Sequence, residues 1–478
     1  MPESMAHPTR TRFEQAGQGQ VFKYFDELTA EHQRTLLAQA ESIDLAELQE
    51  LIDTLVLGGG SHGEDFSGMT PAPFIALPQN GGDATQWTEA RQKGIEVIQA
   101  GRVAAFTPAG GQGTRLGFDA PKGTFKISPV TNKPLFQIFA ENIKAASDRY
   151  QVEIPWYVMT STGNHQATVD FFEANNFFGL KPENVQHFAQ GTMPAVDFQG
   201  KILMSDKGNI ARSPDGHGGS LRALLRNGCI DDMKSRGIDS VCFFQVDNPL
   251  VRCIHPEFIG FHTINDSELS NKACVKTYAQ EKVGVFVERN GKTEILEYSD
   301  LPDELAELED ENGDLRYRAG SIAIHVFSRD LIERVGSGID PKVKLPFHKA
   351  IKKIPTIDSA GNTFNPTEPN GIKFEMFGFD ALPFARNPVV IETARADEFS
   401  PVKNAEGVDS PQTATSDQLK MFARWANAAG INVETDGSGQ PKVNFEVSPL
   451  FATSAEEFAE RVAEMGGDVS INDGTVLS

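Results

Sequence analysis

Residues 102–126 read RVAAFTPAGGQGTRLGFDAPKGTFK: a short apolar run, a glycine-rich turn carrying Thr114 and Arg115, and then Pro121-Lys122. Gly110, Gly111 and Gly113 let the backbone approach a ligand closely and aim its N–H groups inward. Such donors cradle phosphate at the start of a following helix, while Arg115 and Lys122 bring cationic charge to where a polyphosphate would lie. The segment therefore predicts a nucleotide site. The competing reading is a tight strand-to-helix turn with two solvated cations.

The glycine spacing excludes two better-known phosphate motifs. A P-loop requires Gly-x-x-x-x-Gly-Lys-Ser/Thr, which the chain lacks. A dinucleotide fingerprint requires Gly-x-Gly-x-x-Gly, but Gly111, Gly113 and Gly117 leave three residues in the second gap. This argues against a nicotinamide-dependent oxidoreductase. What remains resembles the Gly-x-Gly-Thr-Arg-x(n)-Pro-Lys signature of sugar-1-phosphate nucleotidyltransferases.

A length of 478 residues suggests about three domains and a core large enough to need no staples. The four cysteines, Cys229, Cys242, Cys253 and Cys274, form no Cys-x-x-Cys pair, and three lie in or beside apolar runs. This pattern points to a reduced, cytoplasmic compartment. The opening MPESMAHPTRTRFEQ has no apolar stretch of signal-peptide length, and no run is long enough to span a membrane. A formal charge of −22 argues against a nucleic-acid surface. A bound nucleotide must then be held by a local concentration of Lys, Arg and backbone N–H.

Outward from the glycine turn, residues 20–57 predict helix, with Asp44 and Glu47 as a capping box and Leu45, Leu48, Leu51, Ile52 and Leu55 at helical spacing. GGGSHGED breaks that pattern, and a helix is expected at about 87–99. From about residue 100, strand-like and helix-like segments alternate, which predicts a mostly parallel sheet in an α/β fold with ligands beyond the strand C-termini. KACVKTYA, VGVFVERNGKTEILEYSD and GSIAIHVFS read as further strands, with Asn290-Gly291 as a hairpin turn. The acidic DELAELEDENGD reads as a solvated surface excursion rather than a metal site. Two helical stretches are expected in a small domain after about residue 400. The division is thus a helical N-terminal domain over 1–99, a catalytic domain over 100–398 and a C-terminal domain over 399–478.

Asp247 follows the apolar Phe243-Phe244-Gln245-Val246 and would emerge at the sheet edge as a hard oxygen ligand suited to Mg²⁺. A second glycine-rich loop, Ser213-Pro214-Asp215-Gly216-His217-Gly218-Gly219, lets the main chain lie flat against a base or sugar while His217 hydrogen-bonds. Gln190 precedes Gly191-Thr192-Met193-Pro194 and carries an amide that can pair with a nucleobase edge. Lys373 and Lys403 sit in polar, turn-rich contexts, where so acidic a chain needs cations for an anionic substrate.

Taken in order, AGGQGTRLG with PKG, QGTMPAVDFQGKIL, SPDGHGGSLRAL, VDNPLV, EYSD, NGIKFE and EFSPVKNAEG closely resemble the eukaryotic-type UDP-N-acetylhexosamine pyrophosphorylases, within the wider UDP-sugar pyrophosphorylase family. The resemblance runs from about residue 100 to 410. It implies three domains around a Rossmann-like, GT-A-like nucleotidyltransferase with a mixed sheet, and a Mg²⁺-assisted reaction of UTP with a sugar 1-phosphate to give UDP-sugar and pyrophosphate. Carried over by position, it places the nucleotide on Pro108, Ala109, Gly110 and Gly111. It assigns UTP contacts to Lys122, Gln190, Gly216, Asp247 and Lys373, and sugar-phosphate contacts to His217, Glu297, Tyr298 and Lys403. His217 stands where the family usually has Asn, and Ser321 ends an Ala-Gly-Ser where the family has Ala-Gly-Asn. Both positions are expected to line the sugar pocket.

The residues suit that chemistry on their own terms. In-line attack of a sugar-phosphate oxygen on the α-phosphorus needs positioning and charge neutralisation, and a phosphate is already an anion at neutral pH. Arg115 and Lys122 would stabilise charge on the phosphates while Asp247 holds Mg²⁺. The favoured sugar is N-acetylglucosamine 1-phosphate, with glucose 1-phosphate or a broad range as the alternative. From another class, a nonenzymatic nucleotide-sugar sensor would keep the base-binding residues but could lose Lys122 or Asp247, and both are present.

Overall fold

The computed structural model describes residues 7–58 and 66–478. The first six residues of the opening segment, and all but the first of GGGSHGED, lie outside them. The described chain packs as two compact units. Ser67–Ala189, Leu221–Lys344 and Ala381–Ser478 form the larger one; Met1–Phe66, Gln190–Ser220 and Leu345–Asp380 form the other.

The larger unit is built on a ten-stranded mixed sheet. Val103–Pro108, Trp156–Thr160 and Ser240–Phe244 are buried along their whole length, which is why they read as continuous apolar runs rather than alternating ones. With Val185–Ala189 they form a parallel half, ordered Val185–Ala189, Trp156–Thr160, Val103–Pro108, Ser240–Phe244. Ala319–Ser328 then runs antiparallel to Ser240–Phe244 and starts the second half. That half contains the hairpin Val285–Arg289 with Lys292–Leu296, whose turn places both Asn290 and Gly291 at positive φ, as a two-residue type I′ connection demands. The parallel expectation therefore holds for one half of the sheet. A register shift opposite Asn271–Ala273 bulges Ala319–Ser328, with Ala323 at φ 54° two residues after Ser321.

Helices Ala84–Gln99, Leu135–Tyr150, His165–Ala174 and Cys229–Arg236 fall where the sequence places helices or in the crossovers between parallel strands. Pro411–Ala428 starts at a Ser410–Thr413 capping box with proline in its first turn. Together with Ala455–Glu464 it encloses its own core of Phe422, Trp425, Phe445, Phe451 and Phe458. From that segment the buried Glu446 reaches the loop after the glycine turn, accepting the Val130 and Thr131 N–H groups at 3.1 and 2.8 Å. Asp310, in the acidic excursion, accepts from the Asn312 and Asp314 N–H groups and pairs with Arg318 at 2.6 Å. No helix among the described residues is long and apolar enough to cross a membrane.

The smaller unit is assembled from three separated segments. Asp44 caps Leu45–Leu51 by accepting the Ala46 and Glu47 N–H groups, and the helix continues with a wider turn over Ile52–Leu57. Buried Gln18 accepts from Ile202 N–H at 2.9 Å and donates to the Gly200 carbonyl at 2.8 Å, tying the helical segment to the second one. Thr192–Pro194 pairs with Arg212–Pro214, His348–Lys352 with Gly371–Glu375, and Val196 with Ile372.

Candidate active site

In the larger unit the glycine turn leaves the C-terminal end of Val103–Pro108, where α/β sheets present ligands. Pro108 is still in the strand opposite Met159, and the buried Ala109 continues it, its N–H donating to the Met159 carbonyl at 2.6 Å. The chain then folds back on itself. Gly113 N–H donates to the Ala120 carbonyl at 3.0 Å and Lys122 N–H to the Gly111 carbonyl at 3.1 Å. Among the described residues, the N–H groups of Gly110, Gly111 and Gln112 donate to no backbone or side-chain acceptor.

Two expectations change here. Gly113 serves the turn itself, since its N–H is used and a Cβ there would lie 2.7 Å from the Phe118 ring. Gly111, by contrast, faces open space. The turn also does not lead straight into a helix. Two 3₁₀ turns, Thr114–Leu116 and Lys122–Thr124, intervene before the helix starts at Leu135. The donors come from the loop backbone and not from a helix dipole.

The fold-back brings Lys122 to Asp247, Nζ to Oδ2 3.0 Å, with both side chains less than a fifth exposed. Asp247 lies three residues past Ser240–Phe244. Its carbonyl accepts Val402 N–H at 2.8 Å, so the segment bearing Lys403 docks on it. Buried Asn248 fixes the same segment by accepting Ser400 N–H at 3.1 Å and donating to the Glu398 carbonyl at 2.6 Å. Lys403 Nζ sits 3.6 Å from Asp409 and 5.7 Å from the Phe399 ring centre. Arg115 is exposed on its turn and makes no ion pair among the described residues. In the same unit Gly284 joins two residues assigned to the sugar: its carbonyl accepts Ser321 N–H at 2.8 Å, and a Cβ on it would lie 3.3 Å from Glu297 Oε1. Tyr298 is 46% exposed beside them.

Glu398, at the root of the Lys403 segment, is buried against a fully buried Lys272, with His255 Nδ1 3.2 Å away. Burial alone would raise its pKa, but the Lys272 ammonium and His255 hold it at about 2.

In the smaller unit Gly191, the neighbour of Gln190, meets Asp215, the residue before Gly216 and His217. Asp215 N–H donates to the Gly191 carbonyl at 3.2 Å, and a Cβ on Gly191 or Gly219 would lie within 2.4 Å of the Asp215 carboxylate. Gly216, at φ 82°, packs so that a Cβ would meet the Met376 carbonyl at 2.3 Å. The glycines of this loop are thus demanded by the chain itself. The opposing backbone is the continuation of Gly371–Glu375, the strand that carries Lys373 opposite Ala350.

His217 accepts Gly378 N–H on Nδ1 at 3.1 Å and stacks on Phe377 with ring centres 5.4 Å apart. Phe377 in turn stacks on His348, whose Nε2 lies 2.7 Å from Asp380. Burial, and then His348, push the His217 pKa down to about 4. A neutral imidazole whose Nδ1 accepts carries its proton on Nε2, so His217 presents an N–H donor.

Four residues escaped the sequence reading: Asn164, whose amide donates to the Ala109 carbonyl at 3.1 Å, Asp215, Asn248 and Phe377. Asp215 and Asn248 stand inside motifs already quoted, next to residues that drew the attention. Asn164 has the look of an ordinary helix cap.

A model of the UTP–glucose-1-phosphate uridylyltransferase family matches residues 84–466. A UDP-N-acetylglucosamine pyrophosphorylase of Saccharomyces cerevisiae is 38% identical, over 98% of this chain and 99% of its own. The UDP-N-acetylhexosamine pyrophosphorylase-like protein 1 of Xenopus tropicalis is 37% identical, over 94% of this chain and 93% of its own. Among solved structures, the uridine diphosphate N-acetylglucosamine pyrophosphorylase of Trypanosoma brucei, in complex with an inhibitor, superposes with a TM-score of 0.83 at 26% identity over 99% of both chains.

Proposed function

The chain belongs to the UTP–glucose-1-phosphate uridylyltransferase family, and from that premise we propose that it makes UDP-N-acetylglucosamine and pyrophosphate from UTP and N-acetylglucosamine 1-phosphate. The carrying observation is the glycine turn: three consecutive uncommitted N–H groups beside the Lys122–Asp247 pair at a strand end. Relatives whose names specify an N-acetylated sugar, matched along nearly their whole length, support the choice of sugar.

In this reading a sugar-phosphate oxygen attacks the α-phosphorus, the bond to the β-phosphate oxygen breaks, and pyrophosphate leaves with the electron pair. No side chain needs to take a proton. The uncommitted N–H groups and Lys122 stabilise charge that grows on the phosphates, and Arg115 is exposed nearby to meet the pyrophosphate. Pro108, Ala109, Gly110, Gly111, Gln190, Gly216 and Lys373 would contact UTP. His217 Nε2–H, Glu297, Tyr298, Ser321 and Lys403 would contact the sugar phosphate.

The donor at Asp247 fits Mg²⁺, a hard cation satisfied by one or two carboxylates when phosphates and water complete its octahedron. Bound by Asp247, it would neutralise phosphate charge. The four cysteines are free and buried, in support of a reducing, cytoplasmic compartment. The C-terminal core supports the boundary at 398/399.

Pyrophosphate release from UTP and Mg²⁺ with a panel of sugar 1-phosphates tests the proposal. The highest kcat/KM is expected with N-acetylglucosamine 1-phosphate. Turnover of glucose 1-phosphate without any of the acetamido sugar would overturn the substrate while leaving uridylyl transfer, and no turnover with any sugar would overturn both.

A further inference from the structure

A backbone cradle works only when its N–H groups face the ligand, and in this chain something outside the glycine turn sets that direction. Asn164 is 1% exposed at the start of His165–Ala174. Its Oδ1 accepts Ser161 N–H at 2.8 Å and Ser161 Oγ–H at 3.0 Å, which fixes the amide so that Nδ2 faces the turn. Nδ2 then donates to the Ala109 carbonyl at 3.1 Å and the Gly111 carbonyl at 3.4 Å.

A trans peptide unit is planar, with the C=O of one residue and the N–H of the next pointing in opposite directions. Holding the Ala109 carbonyl inward therefore turns Gly110 N–H outward, and holding the Gly111 carbonyl turns Gln112 N–H outward. These are two of the three N–H groups that lack an acceptor among the described residues. Lys122 N–H shares the Gly111 carbonyl and adds to the same constraint.

The second observation comes from the helix. Asn is among the best N-cap residues, and a side-chain cap contributes typically about 1 kcal/mol. Asn164 occupies the N-cap position yet makes no side-chain bond to its own helix. Its amide is committed to the turn instead.

We propose that Asn164 is a positioning residue for the nucleotide: it aims the Gly110 and Gln112 N–H groups at the phosphates of UTP without touching them. This rests on the uridylyltransferase reading. Replacing the amide with an isosteric carboxylate would set oxygen against two carbonyl oxygens, releasing the Ala109 carbonyl and leaving the Gly111 carbonyl to the Lys122 N–H alone.

The test is Asn164→Asp in the full chain, with Kd measured by NMR titration for UTP with Mg²⁺ and for uridine, alongside steady-state kinetics. UTP binding is expected to weaken at least about tenfold, the scale set by charge-directed donors. Uridine should change less than about twofold, and KM for the sugar 1-phosphate less than about threefold, since neither depends on these donors. Unchanged UTP affinity would overturn the proposal, as would an equal loss for uridine and UTP, which is the mark of a merely structural residue. If Asn164→Asp does not fold, Asn164→Ser, which keeps one hydroxyl donor, must give an intermediate loss confined to UTP. A wild-type chain without affinity for UTP would instead overturn the uridylyl reading itself.

Discussion

The two glycine-rich loops look alike as sequence and differ in what their glycines are for. In the AGGQG turn, Gly111 faces open space and the neighbouring N–H groups are uncommitted. In the PDGHGG loop, the space a Cβ would fill is taken by the Met376 backbone or the Asp215 carboxylate. One loop leaves its backbone open; the other uses the missing side chains to let two stretches of its own chain touch. A glycine count does not distinguish these cases. The atoms opposite each Cα do.

The largest effect should come from the ligand-facing loop. Lys122→Ala is expected to lower kcat by roughly 100-fold or more, and Asp247→Asn to remove Mg²⁺-dependent turnover, each with a thermal midpoint close to wild type. Steady-state pyrophosphate assays paired with thermal melts check both. Near-wild-type rates would place the reacting phosphates elsewhere.

A matched pair of glycine substitutions then breaks or sharpens the contrast directly. Gly216→Ala combines a left-handed backbone with a Cβ 2.3 Å from the Met376 carbonyl, and should cost about 2–5 kcal/mol of stability. Gly111→Ala meets nothing within 4 Å; stability should stay within about 0.5 kcal/mol while UTP affinity falls. Urea unfolding of both proteins decides the matter. Equal destabilisation would erase the distinction drawn here.

Legibility followed the same line. The hairpin at Asn290-Gly291 and the buried parallel strands were readable because each depends on neighbours a few residues away; that Lys122 meets Asp247 was not, since 125 residues separate them. The smaller unit was not, because nothing local at Val196 announces a partner at Ile372. Asn164 was missed for a related reason: its type and place satisfy a local rule that its side chain does not obey.

A third prediction uses pH. The His217 pKa of about 4 lies below the ordinary 6.5, so as pH falls the unfolded chain takes up this proton first. The stability it contributes is fully present above about pH 6.5 and is lost as pH falls toward 4. His217→Asn should remove about one proton's worth of slope from stability against pH in that window, and no substitution in the AGGQG turn should do so. His187 and His262, also held near 4, will keep a residual slope.

The smallest effect concerns the sugar. Ser321→Asn should shift the ratio of kcat/KM values by a few-fold toward N-acetylglucosamine 1-phosphate over glucose 1-phosphate, which the wild type should use detectably. A pocket that builds no buried hydrogen bond to the distinguishing group discriminates only modestly. Competition between the two sugar phosphates at fixed UTP measures the shift, and a ratio that does not move would free Ser321 from any part in selectivity.

Glu446 has a consequence for how the protein is made. Its carboxylate holds Thr131, a residue 315 positions earlier in the chain. At about 5–20 residues per second on a ribosome, Thr131 is synthesised roughly 15–60 s before its anchor exists. The loop after the glycine turn therefore spends most of translation without its final tether, and stalled or prematurely terminated chains would carry the glycine turn but not the clasp behind it.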